Sequence, residues 1–422
     1  PDQWDLQSCI DYAKEQNITI RKNRITAAST QIDVKTAKAA LFPSLSFSTG
    51  QQVVNRPYQE TSSRVSGSEI ISSNSKTSYN GNYGLNASWT LYNGNKRLKT
   101  IQQEKLNNQM AELDVATSEN NIQESITQVY IQILYAAESV KVNENTLQVS
   151  IAQRDRGQEL LNAGSIAKSD LAQLEAQVST DRYQLVTAQA TLEDYKLQLK
   201  QLLELDGENE MNIYLPALSD ENVLAPLPTK RDVYISALSL RPEIEASKLN
   251  VEASELGINI AKSSYFPTIS LSAGIGTNHT SGSDFTFGEQ VKNGWNNSIG
   301  LSISVPIFNN RQTKSAVQKA KLQYETSMLS LLDEQKALYK TIESLWLDAN
   351  SAQQRYAAAN EKLKSTQISY ELISEQFNLG MKNTVELLTE KNNLLQAQQE
   401  QLQAKYMAIL NTQLLKFYQG DQ

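Results

Sequence analysis

The side chains that could carry out chemistry in this chain are numerous but are not spaced for it. The 422 residues include 46 acidic and 39 basic side chains, yet only one histidine, His279, and one cysteine, Cys9. His279 lies among Gly, Ser, Thr and Asn and is predicted to be a solvated loop residue, whereas Cys9 is predicted to be a small apolar residue on a helix face. No motif joins a nucleophile to a base, cradles phosphate or spaces metal ligands. We therefore predict no catalytic residue, no metal site, no cofactor and no enzyme activity.

Two acidic residues attract notice through their position in a repeated pattern. Asp170 and Glu386 each follow a glycine by six residues, Gly164 in one case and Gly380 in the other. The two glycines lie 216 positions apart (164 and 380), and each ends an Asn-X-Gly tripeptide. Such an equivalence predicts that the chain contains the same turn twice.

Further pairs of segments show that the repeat extends along the chain. Residues 39–50 reappear as 263–274, which aligns Phe42-Pro43 with Phe266-Pro267, and residues 85–93 pair with 301–309. Self-similarity of this kind decides architecture better than local propensity does. We interpret the chain as a tandem duplication with a first repeat at 1–205, a loop-rich connector at 206–230 and a second repeat at 231–422.

The overall composition excludes a nucleic-acid partner and a membrane-spanning helix. The net charge of −7 offers no basic field to a phosphate backbone. No apolar run approaches the ~20 residues that a membrane-spanning helix requires, and the polar start, Pro1-Asp2-Gln3-Trp4, is not a cleavable signal. With only 9 Pro and 17 Gly, the chain is typical of long helices that have one hydrated face.

Each repeat is predicted to run helix, strand, loop, strand, very long helix, turn, long helix. Proline disfavours the helical conformation of the residue before it, so the first helix of each repeat should end at Phe42 or Phe266. Apolar and polar residues then alternate, as in Leu45-Ser46-Phe47-Ser48 and Leu301-Ser302-Ile303-Ser304. We predict hairpins at about 45–93 and 269–308, with exposed loops at 55–78 and 277–297.

The segments after the hairpins have the period of a coiled coil. A helix over residues 95–162 would be roughly 100 Å long, and no compact globule contains such a rod. Apolar residues recur every seven positions in two interleaved series per helix. In the first repeat they are Val115, Ile122, Ile126, Val129, Ile133, Ala136, Val140 and Leu147; in the second they are Val317, Tyr324, Met328, Leu331, Leu338, Ile342, Leu345, Ala349, Ala352, Tyr356, Ala359, Leu363, Tyr370 and Phe377.

Four strands of about ten residues are long enough to cross a bilayer but too few to close a barrel. Outer-membrane barrels start at about eight strands, so two or three copies that pool their strands would make a closed barrel of about eight or twelve. Aromatic residues near the strand ends suit an interfacial girdle, although they would also suit the core of a soluble sheet. They are Tyr83, Trp89, Tyr92, Trp295 and Phe308.

The landmarks together resemble the TolC-like outer-membrane efflux proteins over nearly the whole chain. The matching features, in their shared and duplicated order, are Trp4-Asp5-Leu6 with Ile10 and Ala13, the two Phe-Pro pairs, the strand exits Leu91-Tyr92-Asn93-Gly94 and Pro306-Ile307-Phe308-Asn309-Asn310, and the glycine turns. The resemblance implies a mainly α fold with a β-barrel portion, in which a homotrimer closes a barrel of twelve strands above a tunnel of twelve helices. It implies an outer-membrane location in a Gram-negative bacterium, with a removed signal peptide and a tunnel that extends into the periplasm.

The same resemblance implies a function and partners. The chain is expected to be a passive exit duct for drugs or other exported cargo, which meets a periplasmic adaptor and an inner-membrane pump at the far tip of its tunnel. The contact candidates lie in the two glycine turns, where a residue with positive φ commonly ends a helix. They are Asn162, Gly164, Ser165, Asn378, Gly380 and Lys382.

The family often carries acids that project into a constriction at the tip, and Glu386 stands at such a position. Three copies of Glu386 would form an anionic ring that favours cations. Thr389 occupies the place of a second acid, so a strong two-ring gate is not expected. For Asp170 and Glu386, an alternative is a surface carboxylate that the dipole of a helix N-terminus stabilises.

A different class of function also fits the rods and strands. A soluble coiled-coil scaffold could bind partners along its helices and use the short strands as a clip, without a pore. It predicts no lipid-facing surface, so extraction without detergent would distinguish it from the duct.

Overall fold

The computed structural model describes residues 3–60, 62–66, 68–73, 76–206, 211–216 and 223–420. Its elements in the first repeat are α1 (Leu6–Gln16), α2 (Ile18–Ala39), β1 (Ser44–Asn55), β2 (Ser62–Ser66), β3 (Glu69–Ser73), β4 (Thr77–Asn93), α3 (Lys96–Asn162) and α4 (Lys168–Leu202). In the second repeat they are α5 (Lys230–Leu240), α6 (Pro242–Ser263), β5 (Thr268–Thr280), α7 (Phe287–Asn293), β6 (Asn296–Ser304), α8 (Gln312–Asn378) and α9 (Thr384–Gln419).

The duplication is visible in the helix bounds. Helices α3 and α8 each contain 67 residues, and both their first and their last residues are 216 positions apart. Helices α4 and α9 contain 35 and 36 residues. The tandem repeat predicted from the sequence is therefore confirmed. Within the predicted connector, residues 207–210 and 217–222 lie outside the described residues.

The first helix of each repeat is interrupted, which the sequence pattern did not reveal. Asn17 separates α1 from α2, and Arg241 separates α5 from α6, just before Pro242. The Asn17 side chain accepts a hydrogen bond from Thr19 N at 2.9 Å and donates one to Leu202 O at 3.1 Å. A short polar side chain that bonds the backbone in this way favours a helix start over continuation.

The strands form one four-stranded antiparallel sheet in the order β1-β4-β5-β6. Ser44 to Asn55 of β1 pair with β4 without a break, and β5 is the partner of both β4 and β6. Strands β1 and β6 are the two edges of this sheet within the single chain. The predicted hairpin strands are thus confirmed, with β6 ending at Ser304, before Pro306, which has no N–H to give to a ladder.

The pairing register places mainly apolar residues on one face of the sheet and mainly polar residues on the other, and we call these the apolar and the polar face. The apolar face contains Leu45, Phe47, Val53, Tyr79, Tyr83, Leu85, Ala87, Trp89, Ile269, Leu271, Ala273, Ile275, Ile299, Leu301 and Ile303. The opposite face contains Ser44, Ser46, Ser48, Gln52, Asn80, Asn82, Asn86, Ser88, Ser270, Ser272, Asn278, Ser298, Ser302 and Ser304. Most of the apolar side chains are exposed in the single chain.

The two predicted loops contain regular structure. Strands β2 and β3 pair with each other between β1 and β4, and α7 lies between β5 and β6. The prediction for His279 was wrong, because β5 extends to Thr280 and carries this histidine, which pairs with Gly81. The prediction for Cys9 is confirmed, since its side chain is fully buried in α1 and its burial raises the pKa of the thiol to about 12.

The chain divides into two compact units. The first comprises Pro1–Thr26, Ala111–Ala246 and Leu331–Gln422, and the second comprises Ala27–Met110 and Ser247–Ser330. None of the described helices is both long enough and apolar enough to cross a membrane. The predicted seam residues of α3 and α8 are buried or half-buried apart from Met328, which is 46% exposed. The heptad pattern therefore identified the packed faces of these helices.

The first unit contains a buried arginine that joins three helices. Arg241 donates a hydrogen bond to the Glu124 carboxylate of α3, and its guanidinium carbon lies 3.7 Å from the Tyr418 ring centroid in α9. A planar guanidinium suits this combination of a carboxylate partner and an aromatic face. A lysine at this position would provide the charge without the stacking.

The turns that lead from the sheet into the long helices have the same backbone conformation in both repeats. Gly94 and Asn95 have φ values of 68° and 62°, and the equivalent residues Asn310 and Arg311 have values of 53° and 65°. Consecutive left-handed residues turn the chain sharply from strand to helix. A Cβ on Gly94 would lie 2.6 Å from the backbone oxygen of Ser263, so this position also requires the absence of a side chain.

Candidate functional site

The candidate site consists of the α3–α4 and α8–α9 turns, which have the same backbone structure. Gly164 and Gly380 both have a φ of 73°. Ser165 N donates to Leu160 O at 2.8 Å and Gly164 N to Leu161 O at 2.9 Å. In the second turn, Met381 N and Gly380 N make the equivalent bonds, each at 2.9 Å. Each turn is a Schellman motif, which satisfies the last carbonyl groups of the long helix.

The acid that follows each turn caps the next helix. Asp170 Oδ2 accepts from Ala167 N at 3.0 Å at the start of α4. Glu386 Oε2 accepts from Asn383 N at 3.2 Å at the start of α9, and Asn383 Oδ1 accepts from Glu386 N at 2.9 Å. The reciprocal bonds of Asn383 and Glu386 form a capping box. The sequence-based alternative, a carboxylate at a helix N-terminus, therefore describes the local role of both acids.

Glu386 also forms an ion pair within the turn. Lys382 Nζ lies 2.6 Å from Glu386 Oε1, and both side chains are partly exposed. The hydrogen bond from Lys382 holds the pKa of Glu386 below its ordinary value, and the bond from Asn383 N acts in the same direction. The carboxylate is therefore ionised at neutral pH. Since the pair is exposed to solvent, its contribution to stability is small.

Thr389 lies one turn further along α9 than Glu386. Its hydroxyl donates to the carbonyl oxygen of Val385 at 2.8 Å, which satisfies the group within its own helix. Thr389 thus adds no charge to this part of the site. The electrostatic character of the second turn depends on Lys382 and Glu386.

Three apolar residues in the second turn were missed by the sequence prediction. Leu379 and Met381 are each 70% exposed on either side of Gly380, and Val385 is 58% exposed at the start of α9. Their equivalents in the first turn are the smaller Ala163, Ser165 and Ser169. Alignment of the two repeats would have revealed this difference, because only the second turn has large apolar residues at these three positions.

A buried ionic cluster joins three helices close to the turns. Lys391 of α9 donates to Asp181 of α4 and to Ser150 of α3, and the Lys391 and Asp181 side chains are only 3% and 2% exposed. Gln177 Nε2 donates to the second carboxylate oxygen of Asp181 at 2.9 Å. Burial lowers the pKa of Lys391, while the hydrogen bond to Asp181 opposes that change. We call Ser150, Asp181 and Lys391 the buried triad.

The buried triad was also missed by the sequence analysis. Lys391 and Asp181 are ordinary residues for the hydrated face of a helix, and nothing in their spacing predicts burial. A buried charge is tolerated only when it is paired and hydrogen-bonded, and here both conditions are met. Among the residues that the structure describes, no group of three or more His, Cys, Asp or Glu side chains could hold a metal ion.

Comparison with known proteins identifies the family. The sequence pattern of the family described as "Outer membrane efflux protein" matches residues 9–204 and 233–420 of this chain. The chain belongs to the outer membrane efflux protein family. The two matched ranges leave out residues 205–232 between them. Membership confirms the family resemblance and the outer-membrane location predicted from the sequence.

Individual relatives of this efflux protein are distant in sequence. The outer membrane efflux protein BepC of Brucella suis is 23% identical over 299 residues, which are 70% of this chain and 62% of BepC. The outer membrane protein TolC of Escherichia coli is 24% identical over 291 residues, which are 67% of this chain and 58% of TolC. The efflux protein thus matches less than two thirds of the length of each of these relatives.

Solved structures confirm the fold. CusC, which forms a transmembrane channel, superposes with a TM-score of 0.83 at 18% identity, over 98% of this efflux protein and 91% of the CusC chain. The outer membrane protein VceC of Vibrio cholerae superposes with a TM-score of 0.79 at 16% identity, over 98% of this chain and 96% of VceC. The mainly helical fold with a small sheet is therefore that of these solved structures.

The buried triad generates a prediction about stability. Replacing Lys391 with Met should lower the free energy of unfolding by about 3–5 kcal/mol, because the Asp181 carboxylate would remain buried without its partner. Urea denaturation of the purified protein at fixed concentration measures this change. The double variant Lys391→Met, Asp181→Leu should recover most of the loss.

Lys382→Met provides the control for this prediction. It removes a lysine from an exposed ion pair two turns away, and its effect should stay within about 1 kcal/mol. Equal losses for Lys391→Met and Lys382→Met would show that burial of the triad contributes nothing to stability.

Proposed function

We propose that this protein is the outer-membrane exit duct of a tripartite efflux or secretion system. Three copies would form a passive conduit through which drugs or other exported cargo pass from a periplasmic tunnel to the outside. Family membership supports the proposal, and the four-stranded sheet with one apolar and one polar face carries it. In each copy, residues 1–205 and 231–422 would serve as equivalent repeats around the connector at 206–230.

The edges of the sheet require more than one copy. Among the strands that the structure describes, β1 and β6 each have one neighbour, so the backbone N–H and C=O groups on their outer sides have no partner strand. Lipid offers no hydrogen bond to such groups, and each unsatisfied group costs several kcal/mol. Pairing of β6 with β1 of the next copy removes both edges at once and closes a barrel.

The two faces decide which side of the barrel meets lipid. Residues such as Leu45, Ile299 and Leu301 would face the acyl chains, and the Ser and Asn residues of the opposite face would line a water-filled lumen. Two copies would give eight strands, and side chains fill the interior of a barrel of that size. Three copies would give twelve strands and leave an open passage, so three agrees better with a conduit.

The long helices fit the tunnel below the barrel. Their apolar seam residues would hold neighbouring helices together, while the abundant Gln, Asn, Ser and Thr side chains would face water. A duct of this kind moves cargo without changing it, so it needs no catalytic residue, cofactor or nucleic-acid partner. We therefore propose that the protein is not an enzyme.

The alternative function, a soluble coiled-coil scaffold, agrees less well with the sheet. In water, Leu45, Phe47, Ile299, Leu301 and Ile303 would form part of a contiguous exposed apolar surface, and each of these side chains is more than 60% exposed. Exposed apolar patches of this kind mark a membrane or partner surface. The observation that separates the two functions is therefore the environment of this face.

At the far end of the tunnel, the second turn would provide the constriction. Three copies of Glu386 would form a ring of carboxylates that favours cations, with Lys382 reducing the net charge of the ring. Asp170 would occupy the equivalent place in the first turn, and Thr389 would leave the next layer uncharged. Capping and gating are compatible, because a capping carboxylate keeps its charge.

The same turns would contact the periplasmic adaptor that connects the duct with an inner-membrane pump. The candidate contacts are Asn162, Gly164, Ser165, Asn378, Gly380 and Lys382, and the exposed Leu379, Met381 and Val385 extend them. Large apolar side chains at a protruding turn suit the desolvated centre of an interface. The second turn would therefore provide more of the binding energy than the first.

The proposed duct is tested by measuring the mass of the oligomer and its ion conductance, with substitutions at two adjacent residues. In detergent, the purified protein should have three times the 47.1 kDa mass of one chain, and it should conduct ions across a planar bilayer. Leu301→Arg should prevent barrel assembly, since an arginine on the lipid face near the midplane costs about 2–4 kcal/mol in each copy.

Ser302→Arg is the matched control, because residue 302 belongs to the opposite face of the same strand. It should leave the mass unchanged and lower cation conductance through added positive charge. A monomeric, non-conducting protein would overturn the duct, and equal defects in the two variants would overturn the assignment of the faces.

The proposed gate is tested by replacing Glu386 with Gln. Glutamine can also accept the capping-box bond, so the start of α9 should persist while the carboxylate ring is lost. Single-channel recordings should show weaker cation preference for Glu386→Gln and stronger preference for Lys382→Gln. Unchanged selectivity in both variants would remove this turn from the constriction.

The proposed adaptor contact is tested at Gly380, where a Cβ would have no neighbour within 4 Å. Gly380→Asp adds charge between Leu379 and Met381 and should reduce co-purification with the adaptor while trimers persist. Gly380→Asn is the control, because asparagine has the same shape and tolerates positive φ without charge. Normal adaptor binding by the aspartate variant would exclude the second turn from the interface.

A further inference from the structure

The short helix α7 packs on the apolar face of the sheet. Its first residue, Phe287, contacts His279 with ring centroids 5.1 Å apart, and His279 stacks on Tyr83 at 5.8 Å. Tyr83 and His279 share a face with Leu271, Ile275 and Leu85, as the strand register requires. Helix α7 therefore lies on the outer side of the proposed barrel, at the end of the sheet away from the long helices.

The position of α7 is fixed by hydrogen bonds to β5. Thr277 Oγ1 donates to Val291 O at 2.6 Å, and Thr280 N donates to Gln290 Oε1 at 2.8 Å. Pairing with β6 ends at Gly276, so Gln290 satisfies a backbone group of β5 beyond the end of that ladder. Thr286 and Glu289 form a capping box at the start of α7. Helix α7 is therefore held at the sheet edge by specific hydrogen bonds and begins with its own capping box.

Gly81 leaves room for the aromatic ring of His279 beneath α7. It pairs with His279, and a Cβ at residue 81 would overlap the imidazole ring. The ring can therefore lie against the sheet and support Phe287 from below. A side chain at position 81 would require the imidazole ring to shift from this position.

The outward surface of α7 and its flanks is aromatic. Phe285, Phe287 and Trp295 are exposed by 40%, 57% and 56%, and Trp295 Nε1 donates to Asn297 Oδ1 at 3.1 Å. Amphipathic aromatic rings are enriched where a membrane protein meets the lipid headgroups, and girdles of such rings flank the apolar band of outer-membrane barrels. Here three rings project from an element that already rests on the apolar face.

We propose that α7 is a lipid-contacting foot that seats Phe285, Phe287 and Trp295 at the headgroup level of the outer leaflet. This inference rests on the proposed function, because it requires the apolar face to meet lipid. The surface of α7 is continuous with that face, which identifies lipid as its occupant. The foot would fix the depth of the barrel in the membrane and keep the outer end of β5 in place.

The inference is tested with tryptophan fluorescence in vesicles. The background Trp4→Phe, Trp346→Phe removes the tryptophans of the first unit, and adding Trp89→Phe or Trp295→Phe leaves one reporter on the sheet or beside α7. Each protein is reconstituted into phosphatidylcholine vesicles in which the acyl chains are brominated either near the headgroup or near the chain end. The shallow bromines should quench Trp295 as strongly as Trp89. The deep bromines should quench Trp295 less than the shallow ones do.

The control reporter is Tyr58→Trp in a background without the four native tryptophans. Tyr58 is 97% exposed between β1 and β2, and its replacement should not be quenched. Quenching of Trp89 without Trp295 would overturn the foot while leaving the duct intact, whereas no quenching of either would overturn the duct itself. Two other results would overturn the foot. One is quenching at position 58 equal to that of Trp295, and the other is a disulfide between copies formed by Phe287→Cys, since α7 would then have no special lipid contact.

Discussion

Backbone hydrogen bonding at the edges of a small sheet governs much of this structure. The sheet is ordered in its interior, where β4 and β5 each have two partners, but β1 and β6 each have one. Water could satisfy the free groups, yet the apolar side chains on one face disfavour water. Lipid suits those side chains but offers no hydrogen bond to the unpaired backbone N–H and C=O groups. Association of copies through their edges is an arrangement in which both requirements are met.

Duplication solves two local backbone problems in the same way in both repeats. The strand exits use two consecutive residues of positive φ in each repeat, and the helical turns use a Schellman motif followed by a capping acid. The side chains around these backbones have diverged, as Leu379 and Met381 against Ala163 and Ser165 illustrate. Backbone geometry is constrained by the fold, whereas surface side chains respond to whatever meets each turn. The two quasi-equivalent turns therefore differ in the side chains that would meet a partner.

The sequence predicted those features that depend on periodicity or on a single backbone requirement. Alternation in the strands, heptads in α3 and α8, and positive φ at Gly164 and Gly380 all belong to this class. Helix breaks such as Asn17 and the burial of Lys391 and Asp181 depend on residues more than a hundred positions away, so local patterns do not reveal them. The prediction for His279 was wrong for a related reason, because its ring occupies space that Gly81 leaves on a neighbouring strand.

The two parts of the candidate site constrain how the proposed constriction could widen. Both turns satisfy their own backbone groups through Schellman bonds and capping acids, so unwinding them would exchange several intramolecular hydrogen bonds for bonds to water, at a net cost for each bond. The buried triad joins α3, α4 and α9 a short distance above the turns, and separating its charges costs more than separating an exposed pair. Opening by rigid displacement of helices, with the turns and the triad intact, therefore requires less free energy than local melting. The Lys382–Glu386 pair lies within one turn, so such a displacement would also leave this pair intact.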